Sequence, residues 1–223
     1  MRPLSTALLY GIVDLGYVAA EQACAAAERM CAGGVDVIQL RAKGADEHAI
    51  EALGNELIRV TEPAGVPLII NDHPHLVPSI GAQGAHVGQE DFAVQDARWR
   101  AGRALAGEVP LPIIGKSTHS FSQAVAAAAE GADYLGFGPL FPTPTKPGRP
   151  AIGLEDIRRM HASVSIPIFC IGGLKRENLD AVLDAGARRV VIVSGILQSA
   201  DITSYCREVK ARLATLNPQL STS

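Results

Sequence analysis

The chain has 223 residues, enough for one large hydrophobic core without requiring a second domain. Hydrophobic residues make up 48% of it and aromatic residues only 4%, which suits tightly packed strands and small-residue helices better than an aromatic binding face. The net charge of −3 argues against nonspecific nucleic-acid binding, and no run of about 18 apolar residues offers a membrane span.

In chain order, short β-branched runs alternate with helical patterns. The runs are ALLYGIV, DVIQLR, PLIIND, GAHVG, PIIGKS, YLGFG, PIFCIGG and RVVIVSG. Helical patterns begin near Glu21, Asp46, His75, Val94, Ser120, Leu154, Lys175 and Asp201. The runs are almost continuously apolar, as strands buried on both faces require. Strand–helix alternation demands parallel pairing through right-handed crossovers. Eight units in this length predict a single (β/α)8 TIM barrel over residues 1–216, with a doubly wound open sheet as the alternative. Gly33-Gly34, Gly131 and Gly186 stop three of the helices, in the phrases AGGVD, EGADY and DAGARR. The last residues, NPQLSTS at 217–223, are expected to be a flexible tail.

Cys24, Cys31, Cys170 and Cys206 form neither a CxxC pair nor a zinc spacing. Gly and acid break the apolar opening between Tyr10 and Asp14, so no secretory leader is expected and a reduced, cytoplasmic setting is the default. His48 and His161 read as surface helix residues, and His86, inside the fourth run, as a hydrogen-bonded interior residue.

Barrels of this kind react at the carboxyl ends of their strands, so the residues that end each run carry the functional information. Alternation puts Gln39, Arg41 and Lys43 on one side of the second run, with Leu40 and Ala42 on the other. Three inward polar groups suit a ligand needing hydrogen bonds and positive charge; the alternative places Arg41 and Lys43 at a solvated rim. The third run ends Asn71-Asp72 and the fourth leads to Asp91. Two such carboxylates describe a Mg2+ site shared with substrate phosphates, unless each caps the helix after it. Ser117 and His119 end the fifth run, without the elbow motif of an acyl-transfer nucleophile. After the sixth run, FPTPTKPGRP sets Thr143, Thr145 and Lys146 among prolines, a stiff cationic loop suited to an anion. Gly172-Gly173 and Val193-Ser194-Gly195 end the last two runs, where main-chain N–H groups commonly bind phosphate. One phosphate near runs six to eight and a metal-bridged anion near runs two to four imply two phosphorylated substrates, or one long one.

These residues resemble the thiamine-phosphate synthase and TenI superfamily. The matching stretches are YGIVD, VIQLRAK, IIND, GAHVGQED, IIGKSTHS, GADYLGFGPLFPTPTK, IGG and IVSGI, in family order from Tyr10 to Ile196. The resemblance implies an enzyme joining a pyrimidine diphosphate to a thiazole phosphate, giving thiamine monophosphate and pyrophosphate with Mg2+. On it, Gln39, Leu40, Arg41, Ala42, Lys43 and Asn71 would hold the pyrimidine diphosphate, and Asp72 and Asp91 the metal. Ser117 and Lys146 would contact the pyrimidine substrate or its diphosphate, and Arg41, Lys43, Ser117 and Lys146 would be the catalytic groups. Thr143, Pro144, Thr145, Gly173, Val193 and Ser194 would surround the thiazole phosphate. The partners implied are small molecules, neither nucleic acid nor membrane, and a homo-oligomer is compatible with the sequence.

Gly44, His73 and Lys116 depart from the family pattern, and the segment between Asp91 and Ser117 is long. Lys116 changes little if it faces outward among the helices, and adds charge if it faces the mouth. Two other readings stay open. A TenI-like thiazole tautomerase would use His119 as acid or base without needing both acids, and a non-catalytic sensor would bind the same phosphates without releasing pyrophosphate.

Overall fold

The computed structural model describes residues 3–102, 111–143 and 150–217. Eight strands alternate with helices: β1 Leu9–Asp14, α1 Ala20–Ala32, β2 Val37–Arg41, α2 Glu47–Thr61, β3 Leu68–Asn71 and α3 Val77–Ile80. They continue with β4 Gly84–Val87, α4 Val94–Gly102, β5 Ile113–Thr118, α5 Phe121–Ala129, β6 Tyr134–Phe137 and α6 Ile157–Ser163. The chain ends with β7 Ile168–Cys170, α7 Leu179–Asp184, β8 Val190–Ile192, α8 Ser194–Leu197 and α9 Ile202–Leu216. All strand pairs are parallel, and β8 pairs with β1 through Leu9–Val190, Tyr10–Val191 and Gly11–Ile192. The sheet is therefore a closed barrel in sequential order, and the open doubly wound alternative is excluded.

The helix starts follow local chemistry. Asp46, Ser120 and Asp201 each accept an N–H from the first turn of the helix that follows, of Ala49, Gln123 and Ser204 respectively. Gly34, Gly131 and Gly186 adopt left-handed φ values of 85°, 89° and 102°, which is why the same phrase recurs where a helix turns into a strand. Two helices begin later than their sequence signals. Short 3-10 turns at Pro74–Leu76 and Arg176–Asn178 take up the residues before α3 and α7. The short α8 has no counterpart among the eight helical patterns.

Strand alternation divides the apolar residues into two cores. Leu8, Leu9, Val13, Ile38, Leu40 and their equivalents face outward and pack beneath the helices. Tyr10, Ile12, Val37, Ile69, Tyr134, Phe169 and Val191 fill the barrel interior. There Tyr10, Tyr134 and Phe169 meet at ring-centroid distances of 5.4 to 5.7 Å and plug the barrel. Space for Tyr134 comes from Gly115 on the neighbouring strand: a Cβ there would lie 2.1 Å from the tyrosine ring.

Buried polar groups lock the seam at the amino end. Asp36 accepts the N–H groups of Leu8 and Leu9 at 2.8 and 3.0 Å and pairs with Lys210. Arg189 donates to the carbonyls of Ala7 and Ser5 at 3.0 and 2.6 Å. Asn217, expected in a flexible tail, is buried and donates to the carbonyls of Leu213 and Arg188. It closes α9; the rest of the expected tail, 218–223, lies outside the described residues.

His161 also departs from expectation. It is half-buried rather than a surface residue, and its Nε2 is buried without a hydrogen-bond partner among the described residues. Burial, and then Arg188 and Arg189, push its pKa down to about 4. From about pH 6.5 down to about 4 the unfolded chain takes up a proton that the folded chain refuses, so stability falls as pH drops through that window. His161→Met should flatten this part of a urea-stability profile, and the His161 imidazole should titrate near 4 by NMR; titration near 6.5 would contradict the assignment. Gly115→Ala should cost about 1–3 kcal/mol, because Tyr134 is hemmed in by Tyr10 and Phe169 and cannot retreat; a urea midpoint equal to wild type would show the interior to be looser.

Candidate active site

The carboxyl ends of the strands surround a cleft enclosing about 860 Å³ out to its open mouth. Gln39, Arg41, Asn71, Ser117, Thr143, Gly173, Val193 and Ser194, all expected site residues, line it, as does His119. Leu40 and Ala42 belong instead to the core beneath the helices, so from these two positions only the main chain could reach a ligand. Lys43 lies beyond the end of β2, with its side chain 64% exposed at the rim and its ammonium 3.8 Å from Asp72. Pro144, Thr145 and Lys146 lie outside the described residues.

One continuous chain of hydrogen bonds floors the cleft. Gln39 Nε2 donates to the Tyr10 hydroxyl at 2.9 Å, which lies 2.9 Å from the Tyr134 hydroxyl. His86 then spans Tyr134 and Ser117, with Nδ1 3.1 Å from one hydroxyl and Nε2 2.9 Å from the other. Burial pushes both tyrosines well above the ordinary phenol range, so they stay neutral and able both to donate and to accept. His86 is thus the hydrogen-bonded interior residue expected, and it also lines the cleft.

Arg41 is held from the side. Its Nη1 donates to Asp14 Oδ2 at 2.7 Å, and the other oxygen of Asp14 accepts the Gly16 N–H at 2.9 Å. Asp14 and Arg41 are register partners at the ends of β1 and β2, so a side-by-side contact follows directly from the pairing. Nothing in the local pattern around Asp14 marks it as a partner of Arg41. The strand-end rule that selected Arg41 applies equally to the acid that closes YGIVD.

Asp72 follows the last residue of β3 with a left-handed φ of 62°, a conformation an aspartate tolerates better than most side chains. Its N–H is fixed by the His86 carbonyl at 2.9 Å. Asp91 Oδ2 accepts the Gly88 N–H at 2.6 Å, closing a tight turn in which a Cβ at residue 88 would sit 2.7 Å from that oxygen. The Asp91 carboxyl stands close enough to bear on the charge of Asp72. Burial and then Asp91 push the Asp72 carboxyl above its ordinary range, while Lys43 and Arg41 pull it back.

Lys116 faces outward from β5 and is buried beneath the loop that carries Asp91. Its ammonium donates to the carbonyls of Gly88 and Phe92 at 2.8 and 2.6 Å, and burial lowers its pKa. Its effect on the cleft is therefore indirect, through the shape of the 88–92 loop.

The opposite side of the cleft is made by main chain and hydroxyls. Gly172 and Gly173 run so close to the segment after β6 that a Cβ on either would lie 2.4 Å from Pro139 or 2.7 Å from Phe141. Asn178 donates to the Gly173 carbonyl at 2.9 Å and holds the turn. Val193 and Ser194 lead into α8 directly beside it.

A closed parallel barrel with a cleft at its carboxyl end defines the class as a (β/α)8 barrel. The family model for thiamine monophosphate synthase matches residues 9–196. A thiamine-phosphate synthase of Thermus thermophilus is 44% identical over 187 residues, covering 83% of this chain and 86% of that protein. One of Chloroflexus aurantiacus is 39% identical over 204 residues, 91% of each chain. The solved thiamine phosphate pyrophosphorylase of Pyrococcus furiosus superposes with a TM-score of 0.81 at 28% identity, covering 95% of this chain and 98% of that one. The chain belongs to the thiamine monophosphate synthase family.

Replacing the buried ammonium in Lys116→Met keeps the aliphatic stem but strips two loop carbonyls of their donor, at an expected cost of about 1–3 kcal/mol. Amide exchange at Gly88 should quicken with it. Wild-type exchange at Gly88 in the variant would show that Lys116 does not hold the loop.

Proposed function

We propose that the cleft joins a pyrimidine diphosphate to a thiazole phosphate and releases pyrophosphate, with Mg2+ held by Asp72 and Asp91. Membership of the family makes the chain a thiamine-phosphate synthase, a transferase. The observation that carries the residue assignment is the two-ended mouth: Asp72, Asp91 and Lys43 stand outside the cleft lining, beside Arg41 and Asn71 within it, and glycine main chain with Thr143 and Ser194 makes the other edge. A single cationic patch would serve one anion, whereas two unlike anion sites across one mouth serve two substrates.

The acid pair fits a hard divalent ion, because it offers only oxygen donors and the charge of Asp91 already bears on the Asp72 carboxyl. When bound, Mg2+ would neutralise charge on the departing pyrophosphate. Arg41, oriented by Asp14, and Lys43 at the rim supply further positive charge where the carbon–oxygen bond breaks. Lys146 is assigned to the same task from its motif. Gln39 and Asn71 offer amide hydrogen bonds to the pyrimidine, and Ser117, held by His86, approaches from the far side. Thr143, Gly173, Val193 and Ser194 hold the monoester of the thiazole and thereby aim its ring nitrogen.

The aminopyrimidine can delocalise the positive charge left on its methylene carbon, so a dissociative step precedes attack by the thiazole nitrogen. The new carbon–nitrogen bond replaces the broken carbon–oxygen bond, and no side chain serves as nucleophile. A reducing, cytoplasmic setting is supported by four cysteines that are all free thiols.

Pyrophosphate release should require both substrates and Mg2+, and Asp91→Ala should lower kcat by at least about 100-fold, the scale of losing one strong electrostatic contact to the transition state. Ser194→Ala should raise KM for the thiazole phosphate with little change in that for the diphosphate. Release unaffected by Asp91→Ala would overturn the metal assignment, and no release under any condition would overturn the whole reading.

A further inference from the structure

A cluster of potential metal ligands stands outside the cleft, where the loop after β3 meets the start of α2. Glu47, His73 and His75 each present one ligand atom, and the three atoms lie within 4.8 Å of one another. One oxygen of Glu47 is 3.1 Å from His75 Nε2 and 3.7 Å from His73 Nδ1. None of these three side chains lines the cleft.

The backbones behind them are fixed. Glu47 opens α2, whose first turn is capped by Asp46 accepting the Ala49 N–H at 2.8 Å. Pro74 separates the histidines, is itself buried, and starts a 3-10 turn closed by the Leu76 N–H on the His73 carbonyl at 3.1 Å. The two rings therefore leave a stiff segment towards the same carboxylate, with centroids 5.7 Å apart. Side chains bound to tetrahedral zinc at about 2.0–2.2 Å have ligand atoms roughly 3.3–3.6 Å from one another. Small rotations of these partly exposed side chains reach that spacing without moving the main chain.

We propose that Glu47, His73 and His75 form a binding site for a first-row divalent transition ion, Zn2+ or Ni2+ in class, distinct from the acid pair of the cleft. Two imidazoles and one carboxylate favour such an ion, whereas Mg2+ takes oxygen ligands and keeps much of its water. Three protein ligands leave a coordination position for solvent. Because His73 directly follows Asp72, an ion here would also tether the segment that carries one of the cleft's two acids.

Equilibrium dialysis of the full chain against Zn2+, repeated with Ni2+, tests the proposal with bound metal as the readout. His73→Ala/His75→Ala should weaken the tightest site at least about 10-fold, and Asp91→Asn should leave it within about twofold. Tight binding that survives the double histidine variant, or that disappears in Asp91→Asn while the histidines are intact, would put the ion elsewhere and overturn the proposal. Absence of one bound equivalent at about 100 μM Zn2+ and at the same Ni2+ concentration would overturn it as well.

Discussion

The pairing of β8 with β1 is the constraint on which everything else depends. Open parallel sheets leave two edges whose main-chain groups need partners, and closure removes both at once. Only three register pairs join the two ends of the chain, from Leu9–Val190 to Gly11–Ile192. The seam is reinforced from below by Arg189 on the carbonyls before β1 and by Asp36 on its first N–H groups. Once the ring is closed, all eight carboxyl ends must face one mouth. Groups as far apart in sequence as Arg41 and Ser194 then share a cleft.

Closure also creates an inside with no solvent, and the chain meets that condition in two layers. The lower layer is apolar and aromatic, where Tyr10, Tyr134 and Phe169 interlock in room left by Gly115. The upper layer is polar, but its groups are paired: Gln39, Tyr10, Tyr134, His86 and Ser117 pass hydrogen bonds from one wall to the other. Buried polar groups left unpaired would cost about 1–3 kcal/mol each, so this chain makes a polar floor compatible with a folded barrel. The tyrosine rings belong to the first layer and their hydroxyls to the second, which ties packing to the orientation of the site.

The two sides of the mouth solve different electrostatic tasks. The acid pair is disfavoured as two bare charges, and Lys43, Arg41 and the turn at Gly88 hold it together nonetheless. On the proposed reading, a divalent ion would complete that charge balance. The far side uses few formal charges and relies on close main-chain approach at Gly172 and Gly173. On the proposed reading, the two ligands differ in the same way, in charge density and in the number of oxygens to satisfy.

By itself the sequence determined the strand–helix alternation, the helix starts at Asp46, Ser120 and Asp201, the glycine stops, and the strand-end residues at the mouth. These are local properties, set by side-chain period, capping chemistry and backbone freedom within a few residues. Tertiary structure alone decided that Arg41 leans on Asp14, that Lys116 braces the Asp91 loop from outside, and that His161 is half-buried. It also decided that Glu47, from another element, meets His73 and His75. Each of these depends on which residues of neighbouring strands and helices stand opposite one another, and that is fixed by register and closure rather than by any short stretch of chain.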